Sequence, residues 1–527
     1  MTQTFDPALA RTTLFSGFLE AAAKHGRDRA IIEDADGTTL TYRALTLASL
    51  VLGGKLRQFG GAGENVGLLL PNAIGLVVTV LGLNAYDRVA VLLNFSAGKK
   101  ALTSAIGTAR LRTVLTSRRF VEAGNFGELI AALSQAEYAP GQKTEIVYLE
   151  DVRASISLLD KLAGVARAQC AGLLYRSAPK KADNPAVILF TSGTEGAPKG
   201  VVLSNANLVS NVEQSIAHLS SALVPGEILI NPLPMFHSFG LTAGTFVPLF
   251  AGVKCALYPS PLHYKQIPKF VEKVKATWIV STDTFLGGYA RAAEPGQLAS
   301  LRYAVAGAEK VKQATRDLWD NSGAVLLEGY GVTETSPVLA CNLPQDNRPG
   351  TVGRLLPGIE ARLEAVPGLS EGKRLFVRGP NVMAGYIFAD NPGVIQPPKG
   401  GWHDTGDIVA IEDGFVRICG RAKRFAKLGG EMVSLGAIET LACGLWDDAQ
   451  HVVLSFPDPR KGEQLLLVTD KAAANKDELL AYARQEGFPE LWVPKSILIV
   501  SAVPLLASGK IDLQATVEMA RQSRPSL

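Results

Sequence analysis

At 527 residues the chain is too long for one hydrophobic core, so more than one domain is expected. Its 47% hydrophobic and 19% charged residues place it among globular rather than disordered chains. A net charge of +4 is too mild to argue for nucleic acid, and it would repel neither an acidic protein nor an anionic membrane surface.

The segment Met1–Thr13 contains Asp6 and no apolar stretch behind a basic end, so no signal peptide is expected. Strand-like and helix-like stretches then alternate. Val66–Leu70 and Thr113–Thr116 read as buried strands, as do Ile228–Ile230, Trp278–Val280 and Tyr303–Ala306. Asn205–Leu219 and Lys265–Ala276 read as helices between them. Short apolar strands separated by helices indicate an α/β fold with largely parallel sheets. Two greasy stretches, Val66–Phe95 and Gly240–Tyr258, are interrupted by prolines and polar residues. Neither supplies the ~20 apolar residues that a membrane-spanning helix needs.

The most informative segment is Leu189–Gly200, which follows the apolar run Ala186–Phe190. It contains Thr191, Ser192, Gly193, Thr194, Glu195, Gly196, Pro198 and Lys199. Glycines let backbone N–H groups converge on an anion, hydroxyls add donors, and a lysine adds positive charge, so the loop suits a polyphosphate. It is not a Walker A loop, because Lys199 lies between Pro198 and Gly200. An ordinary Gly/Ser/Thr surface loop is the competing reading. Further on, His237 sits among apolar residues, where a satisfied core histidine is the common case.

Glu328–Thr335, with sequence EGYGVTET, follows the apolar run Val325–Leu327. Tyr330 offers a flat face for a base, Thr333 a hydroxyl, and Glu334 an oxygen for a hard cation. Mg²⁺ on ATP usually takes one or two protein carboxylates, so a single glutamate suffices. From Gly350 to Gly420 the chain turns Gly- and Pro-rich, with short alternating segments such as Arg374–Arg378 and Gly414–Ile418. Small antiparallel strands, forming a compact barrel, are expected there. Asn391–Gly401 is expected as an exposed loop. Trp402–Asp407 precedes the strand-like Ile408–Ala410, and Asp407 could accept hydrogen bonds from ribose hydroxyls or simply initiate a turn.

Gly420–Lys427 packs Arg421, Lys423, Arg424 and Lys427 into one short stretch. Such a run is usually a solvated face. The character of the chain changes here, so the expected division is a core at 1–420 and a mobile α+β domain at 421–527. Lys510 lies on the small-residue loop Pro504–Lys510. The five cysteines are scattered without CxxC spacing, which argues against a disulfide framework or a zinc site and fits a reducing compartment. There is no nucleophile elbow and no Gly-x-Gly-x-x-Gly after a strand, so hydrolase and nicotinamide chemistry lack support.

Taken together, the order and spacing of these motifs resemble the adenylate-forming superfamily of acyl-CoA synthetases, adenylation domains and luciferase. The resemblance runs from about Leu14 to about Asp512. Within it, Asn94–Gly98, Met235–Thr242, Tyr258–Tyr264, Val305–Lys310 and Gly420–Ser434 look like one branch. That branch is the ligase half of bacterial bifunctional acyl-ACP synthetase/2-acylglycerophosphoethanolamine acyltransferases. An acyltransferase half, which would precede the ligase, is not part of this sequence, so lysophospholipid acyl transfer is not expected.

The resemblance implies a large N-terminal domain of two α/β subdomains plus a small β-barrel, followed by a small mobile C-terminal domain. It also implies that a fatty carboxylate is activated by MgATP to acyl-AMP and then passed to a phosphopantetheine thiol. Acyl carrier protein is the expected acceptor, with CoA as the alternative and a non-catalytic fatty-acid or nucleotide sensor as a third reading. By the same resemblance Thr191, Ser192, Gly193, Thr194 and Lys199 hold the outer phosphates, Thr333 touches the α-phosphate and Glu334 the Mg²⁺. Gly307, Ala308, Glu309 and Tyr330 form the adenine pocket, and Asp407 and Arg421 bind ribose. Lys510 bridges carboxylate and α-phosphate, and His237 stands near the acyl entrance.

Lys423 is the implied hinge, and Lys427, Gly429 and Gly430 face the site in the second step. Arg421, Lys423, Arg424, Lys427, Arg460 and Lys461 are expected to form a basic docking face for an acidic carrier protein. Glu195 replaces a usual threonine, and Ile511–Asp512 follows Lys510 where an arginine is common. The expected location is the cytoplasm. Because a fatty substrate partitions into lipid, peripheral contact with the inner face of the membrane stays open.

Overall fold

The computed structural model describes residues 4–8, 10–175, 179–191, 198–367, 369, 371–428, 431–458, 462–506 and 511–523. Two large sheets, one small sheet and a two-stranded ribbon at 137–143 organise these residues. The first has the strand order 391–396, 385–388, 199–204, 185–191, 89–92, 65–68, 113–116, 145–148. Its strands from 185–191 to 145–148 run parallel, and 199–204 returns antiparallel to 185–191. The second sheet carries the parallel strands 30–34, 254–257, 228–231, 278–281, 303–306 and 325–331.

Alternation along the strands explains why both faces of the first sheet are covered. Val187, Leu189, Val201 and Leu203 enter one core cluster, whereas Ile188 and Val202 enter another on the opposite face. The first of these clusters also takes in Leu229, Cys255, Val280 and Val305 from the second sheet. The main core therefore lies between the two sheets. The greasy stretches of the sequence resolve into short buried elements. Residues 66–95 form a strand, the almost wholly buried helix Ile74–Ala85, and a second strand. No helix among the described residues is long and apolar enough to cross a membrane.

The antiparallel strands expected between 350 and 420 are present as 354–355, 360–364, 373–378, 403–412 and 415–421. They are hydrogen-bonded in one path onto the second sheet through 338–341. Asn391–Gly401, expected as a loop, instead contains the strand Asn391–Gln396. It pairs with Gly385–Phe388 at the edge of the first sheet, a position where Pro392 costs no ladder hydrogen bond. Two motifs expected beside strands lie within them: Glu328–Gly331 on Val325–Gly331, and His403–Asp407 on His403–Glu412.

Arg421 is the last residue of Phe415–Arg421 in the second sheet, and Phe425–Leu428 already belongs to the small sheet. That sheet contains 425–428, 431–434, 451–458, 462–469 and 496–499. Helices 435–445 and 476–485 share one of its cores, through Ile438, Leu441 and Leu479, and helix 513–523 reaches the other through Ala520.

Candidate active site

The site forms where the parallel strands of the second sheet end and the hairpin of the first sheet turns. Such carboxyl ends are where open α/β sheets leave a crevice for ligands. Thr191 and Lys199 are register partners across the antiparallel hairpin, so they stand opposite each other at the root of the glycine-rich loop. Ser192, Gly193, Thr194 and Glu195 lie outside the described residues, as do Gly429, Gly430, Arg460, Lys461 and Lys510.

The ammonium of Lys199 lies 5.5 Å from the ring centroid of Tyr386 and 5.6 Å from that of Phe388. The Tyr386 hydroxyl in turn donates to Glu334 Oε1 at 2.7 Å. The loop root and the acidic motif, far apart in sequence, are thus joined through one tyrosine. Burial and the neighbouring Glu334 carboxylate push the Tyr386 hydroxyl well above its ordinary range, so it remains a donor.

Glu334 sits in the tight turn Thr333–Thr335 after strand Val325–Gly331. Gly331 is required at the turn, because a Cβ there would stand 1.9 Å from the carbonyl oxygen of Pro337. Asn381 fastens the turn: its side-chain amide donates to Thr335 O at 2.8 Å, and its backbone carbonyl accepts from Ser336 Oγ at 2.9 Å. Asn211 secures the start of the following strand Val338–Cys341 by exchanging two bonds with Val338, at 2.7 and 2.9 Å. The Thr333 hydroxyl accepts from Ser238 Oγ at 3.2 Å.

A second cluster adjoins the first. The Tyr330 hydroxyl donates to Asp407 Oδ2 at 2.6 Å, and Arg421 Nε donates to Asp407 Oδ1 at 3.2 Å. Asp407 is only 3% exposed. Burial pushes its carboxyl up, and the Arg421 guanidinium works in the opposite direction. Next to it, Arg374 grips Asp404 as an ion pair that orients the strand.

Gly307 lies under Phe239, whose ring would be 2.9 Å from a Cβ at that position. Ala308 has a φ of +69°. Glu309, expected in the adenine pocket, directs Oε2 to the amide of Thr284 at 3.0 Å, in the first turn of helix Asp283–Ala292. Asp283 Oδ1 accepts from Lys312 N at 3.0 Å, so the loop 307–312 is clamped to that helix from both sides. His237 packs on Phe236 with centroids 4.7 Å apart, and Phe236 meets Phe95 edge-on at 4.9 Å. The π-helix Phe239–Phe246 follows directly; helices of this kind often occur at functional sites.

The basic stretch after Gly420 is not one solvated face. Arg424 turns inward onto Glu439 and donates to Val453 O at 3.0 Å, and Arg421 is engaged by Asp407. Arg424 is thereby removed from the expected docking surface, because it compensates a buried carboxylate, whereas Arg421 stays exposed while it pairs with Asp407. Lys423 lies in the short turn Ala422–Arg424, and Lys427 is exposed on strand Phe425–Leu428. Phe285 and Leu286 of helix 283–292 are fully buried in the core.

Tyr386, Asn381, Asn211, Ser238 and the Arg374–Asp404 pair were not legible as site residues. Tyr386, Asn381, Asn211 and Arg374 stand outside the motifs and only tertiary packing brings them in, whereas Asp404 and Ser238 lie within quoted segments whose site role was assigned to other residues. A local signal existed for Ser238, which follows His237, and for Asp404, three residues before Asp407.

The sequence matches the family model of the AMP-binding enzymes over residues 18–387. A long-chain-fatty-acid–CoA ligase of Yersinia pestis is 27% identical over 95% of this chain and 93% of its own. A medium-chain fatty-acid–CoA ligase of Escherichia coli is 24% identical over 94% and 88%. The fold matches that of ATP-bound MatB from Rhodopseudomonas palustris with a TM-score of 0.79, at 23% identity, covering 97% of this chain and 99% of that one. The chain therefore belongs to the AMP-binding enzyme family, the adenylate-forming superfamily, as an ATP-dependent acid–thiol ligase.

Proposed function

We propose that the protein is a fatty acyl-CoA ligase: it joins a fatty carboxylate to AMP and then passes the acyl group to CoA. The observation that supports this best is the convergence of Lys199, Tyr386 and Glu334 beside the Tyr330–Asp407–Arg421 cluster. Cations, hydroxyls and carboxylate acceptors are then gathered in one place. The ligase relatives, aligned over nearly their whole length, favour CoA over acyl carrier protein. The inward turn of Arg424 also weakens a basic docking face for a carrier protein.

In the first step a carboxylate oxygen attacks the α-phosphorus of ATP, a P–O bond forms, and pyrophosphate leaves. In the second the CoA thiol loses its proton, sulfur attacks the acyl carbonyl, and AMP leaves. No protein nucleophile is required, so the work of the site is positioning and charge neutralisation. Thr191, Ser192, Gly193, Thr194 and Lys199 take the outer phosphates. Thr333 reaches the α-phosphate, and Gly307, Ala308, Glu309 and Tyr330 surround adenine. Asp407 and Arg421 hold ribose.

Glu334 fits Mg²⁺ because one of its oxygens is free of the Tyr386 hydrogen bond; the ion would neutralise phosphate charge. Lys510 brings its charge to the approaching anions, and His237 borders the acyl entrance. Lys423 is the pivot at which the chain beyond it turns between half-reactions, presenting Lys427, Gly429 and Gly430 to the thiol.

The deciding experiment measures AMP release from fatty acids of several lengths with CoA and with purified acyl carrier protein. CoA is expected to support the faster reaction. Preference for the carrier protein would overturn the acceptor, and absence of fatty-acid-dependent ATP–pyrophosphate exchange would overturn the reaction itself.

A further inference from the structure

One short segment, Met383–Phe388, holds the acidic motif at two points. Met383 N donates to the backbone carbonyl of Glu334 at 2.8 Å, and the Tyr386 hydroxyl donates to the Glu334 carboxylate at 2.7 Å. Backbone and side chain of Glu334 are thus set by the same stretch of chain. That stretch is itself fixed, because strand Gly385–Phe388 pairs with strand Lys199–Ser204, with Tyr386 opposite Val201 and Ile387 opposite Gly200. Gly200 permits the approach: a Cβ there would stand 2.4 Å from the Ile387 side chain.

Alternation puts Tyr386 and Phe388 on one face of their strand, beside Lys199. Their rings lie 5.5 Å apart and form a shelf, with the lysine ammonium 5.5 Å from one centroid and 5.6 Å from the other. At that distance a cation is drawn to the rings. Among the described residues Lys199 makes no ion pair, with Glu334 or with any other carboxylate. Yet the two opposite charges are attached to the same phenol, one over its ring and one at its hydroxyl. A lysine stem is flexible enough to close such a gap, and the bare charges would attract across it.

We propose that Tyr386 is a positioning residue that keeps Lys199 and Glu334 from neutralising each other. Its hydroxyl occupies one carboxylate oxygen and its ring takes the ammonium, so the glutamate stays available to a divalent cation and the lysine to phosphate. Burial and the Glu334 carboxylate keep the phenol protonated, which preserves the donor. The proposal rests on the reading of Lys199 and Glu334 as phosphate and Mg²⁺ contacts. Tyr386 acts only through these two groups.

Binding measurements separate the two arms without turnover. Mn²⁺ stands in for Mg²⁺, so that bound metal is read by electron paramagnetic resonance in the presence of ATP. ATP alone is titrated by calorimetry in EDTA. Tyr386→Phe keeps the ring and loses the donor: Mn²⁺ affinity should fall about tenfold, with metal-free ATP binding within about twofold of wild type. Tyr386→Leu loses both arms and frees Lys199 to pair with Glu334, so metal-free ATP binding should also weaken about tenfold. Adding Glu334→Gln to Tyr386→Leu should recover most of that loss, whereas Glu334→Gln alone should change metal-free ATP binding by about twofold at most. Equal Mn²⁺ affinity in wild type and Tyr386→Phe overturns the proposal, as does additive behaviour of Tyr386→Leu and Glu334→Gln. So does a Tyr386→Phe variant that melts early and loses both ligands alike, since the tyrosine would then be structural. Should Tyr386→Leu melt early, Tyr386→Phe decides. Wild type that binds no ATP overturns the nucleotide site and this proposal with it; normal wild-type binding with indifferent variants overturns this proposal alone.

Discussion

The residues up to Arg421 and those after it build their share of the site in different ways. In the large body, several of the proposed nucleotide contacts among the described residues are locked by a partner: Glu334 by Tyr386, the Thr333–Thr335 turn by Asn381, and Asp407 by Tyr330 and Arg421. The small sheet meets this body through thinner, polar contacts. Lys310 Nζ donates to Thr440 Oγ1 at 3.3 Å, and Lys312 Nζ donates to Gln450 Oε1 at 3.4 Å. Long lysine contacts of this kind contribute little to stability. The contrast suits an enzyme whose larger part holds the nucleotide while its smaller part exchanges positions between two reactions.

The sharpest way to break this comparison is Lys510→Ala. The small region should supply chemistry but little nucleotide affinity, so ATP–pyrophosphate exchange is expected to fall by about a thousandfold with ATP binding nearly unchanged. A comparable loss of ATP binding would merge the two roles. Glu334→Gln probes the large body and keeps the shape that Tyr386 recognises. A loss of about a hundredfold in exchange is expected, partly relieved by raised Mg²⁺.

Arg421→Ala removes the cation that opposes burial at Asp407. The Asp407 carboxyl then rises further, so the acid limb of kcat/KM for ATP should move to higher pH, with a drop of about tenfold at neutral pH. An unmoved acid limb would dissociate Arg421 from Asp407 in function.

Lys310→Ala with Lys312→Ala loosens the contact between the two regions. A change of roughly two- to fivefold in turnover, with unchanged melting of the large body, is expected. The smallest effect on activity should come from Asp34→Asn. Burial pushes the Asp34 carboxyl up to about 6, while its Oδ1 caps Ile74 N at 2.9 Å. A folded pKa above the unfolded one means that stability is present at low pH and lost as pH rises toward 6. Asparagine keeps the acceptor without the charge, so melting at pH 7 should rise by the equivalent of about 1–3 kcal/mol, with the gain shrinking near pH 4.

Much of the fold was readable from periodicity. Thr113–Thr116 and Tyr303–Ala306 form strands with the expected bounds, and the helix expected at Asn205–Leu219 ends at His218. Apolar runs between helical stretches allow few alternatives. Asn391–Gln396 was missed because its proline signals a loop, and only its place at a sheet edge makes it a strand. Of the site, the motif residues were legible through their spacing, and their order along the chain carried the family resemblance.

What the sequence by itself determined is which groups are available: the glycine-rich turn, Tyr330, Glu334, Asp407, Arg421 and the lysines. Tertiary structure alone decided which of them meet and in what electrostatic state. Tyr386 reaches Glu334 across 52 residues of chain, and Arg424 leaves the surface for Glu439. Hydrogen bonding and burial act over a few ångströms of space, whatever the distance along the chain, so no local pattern encodes those pairings.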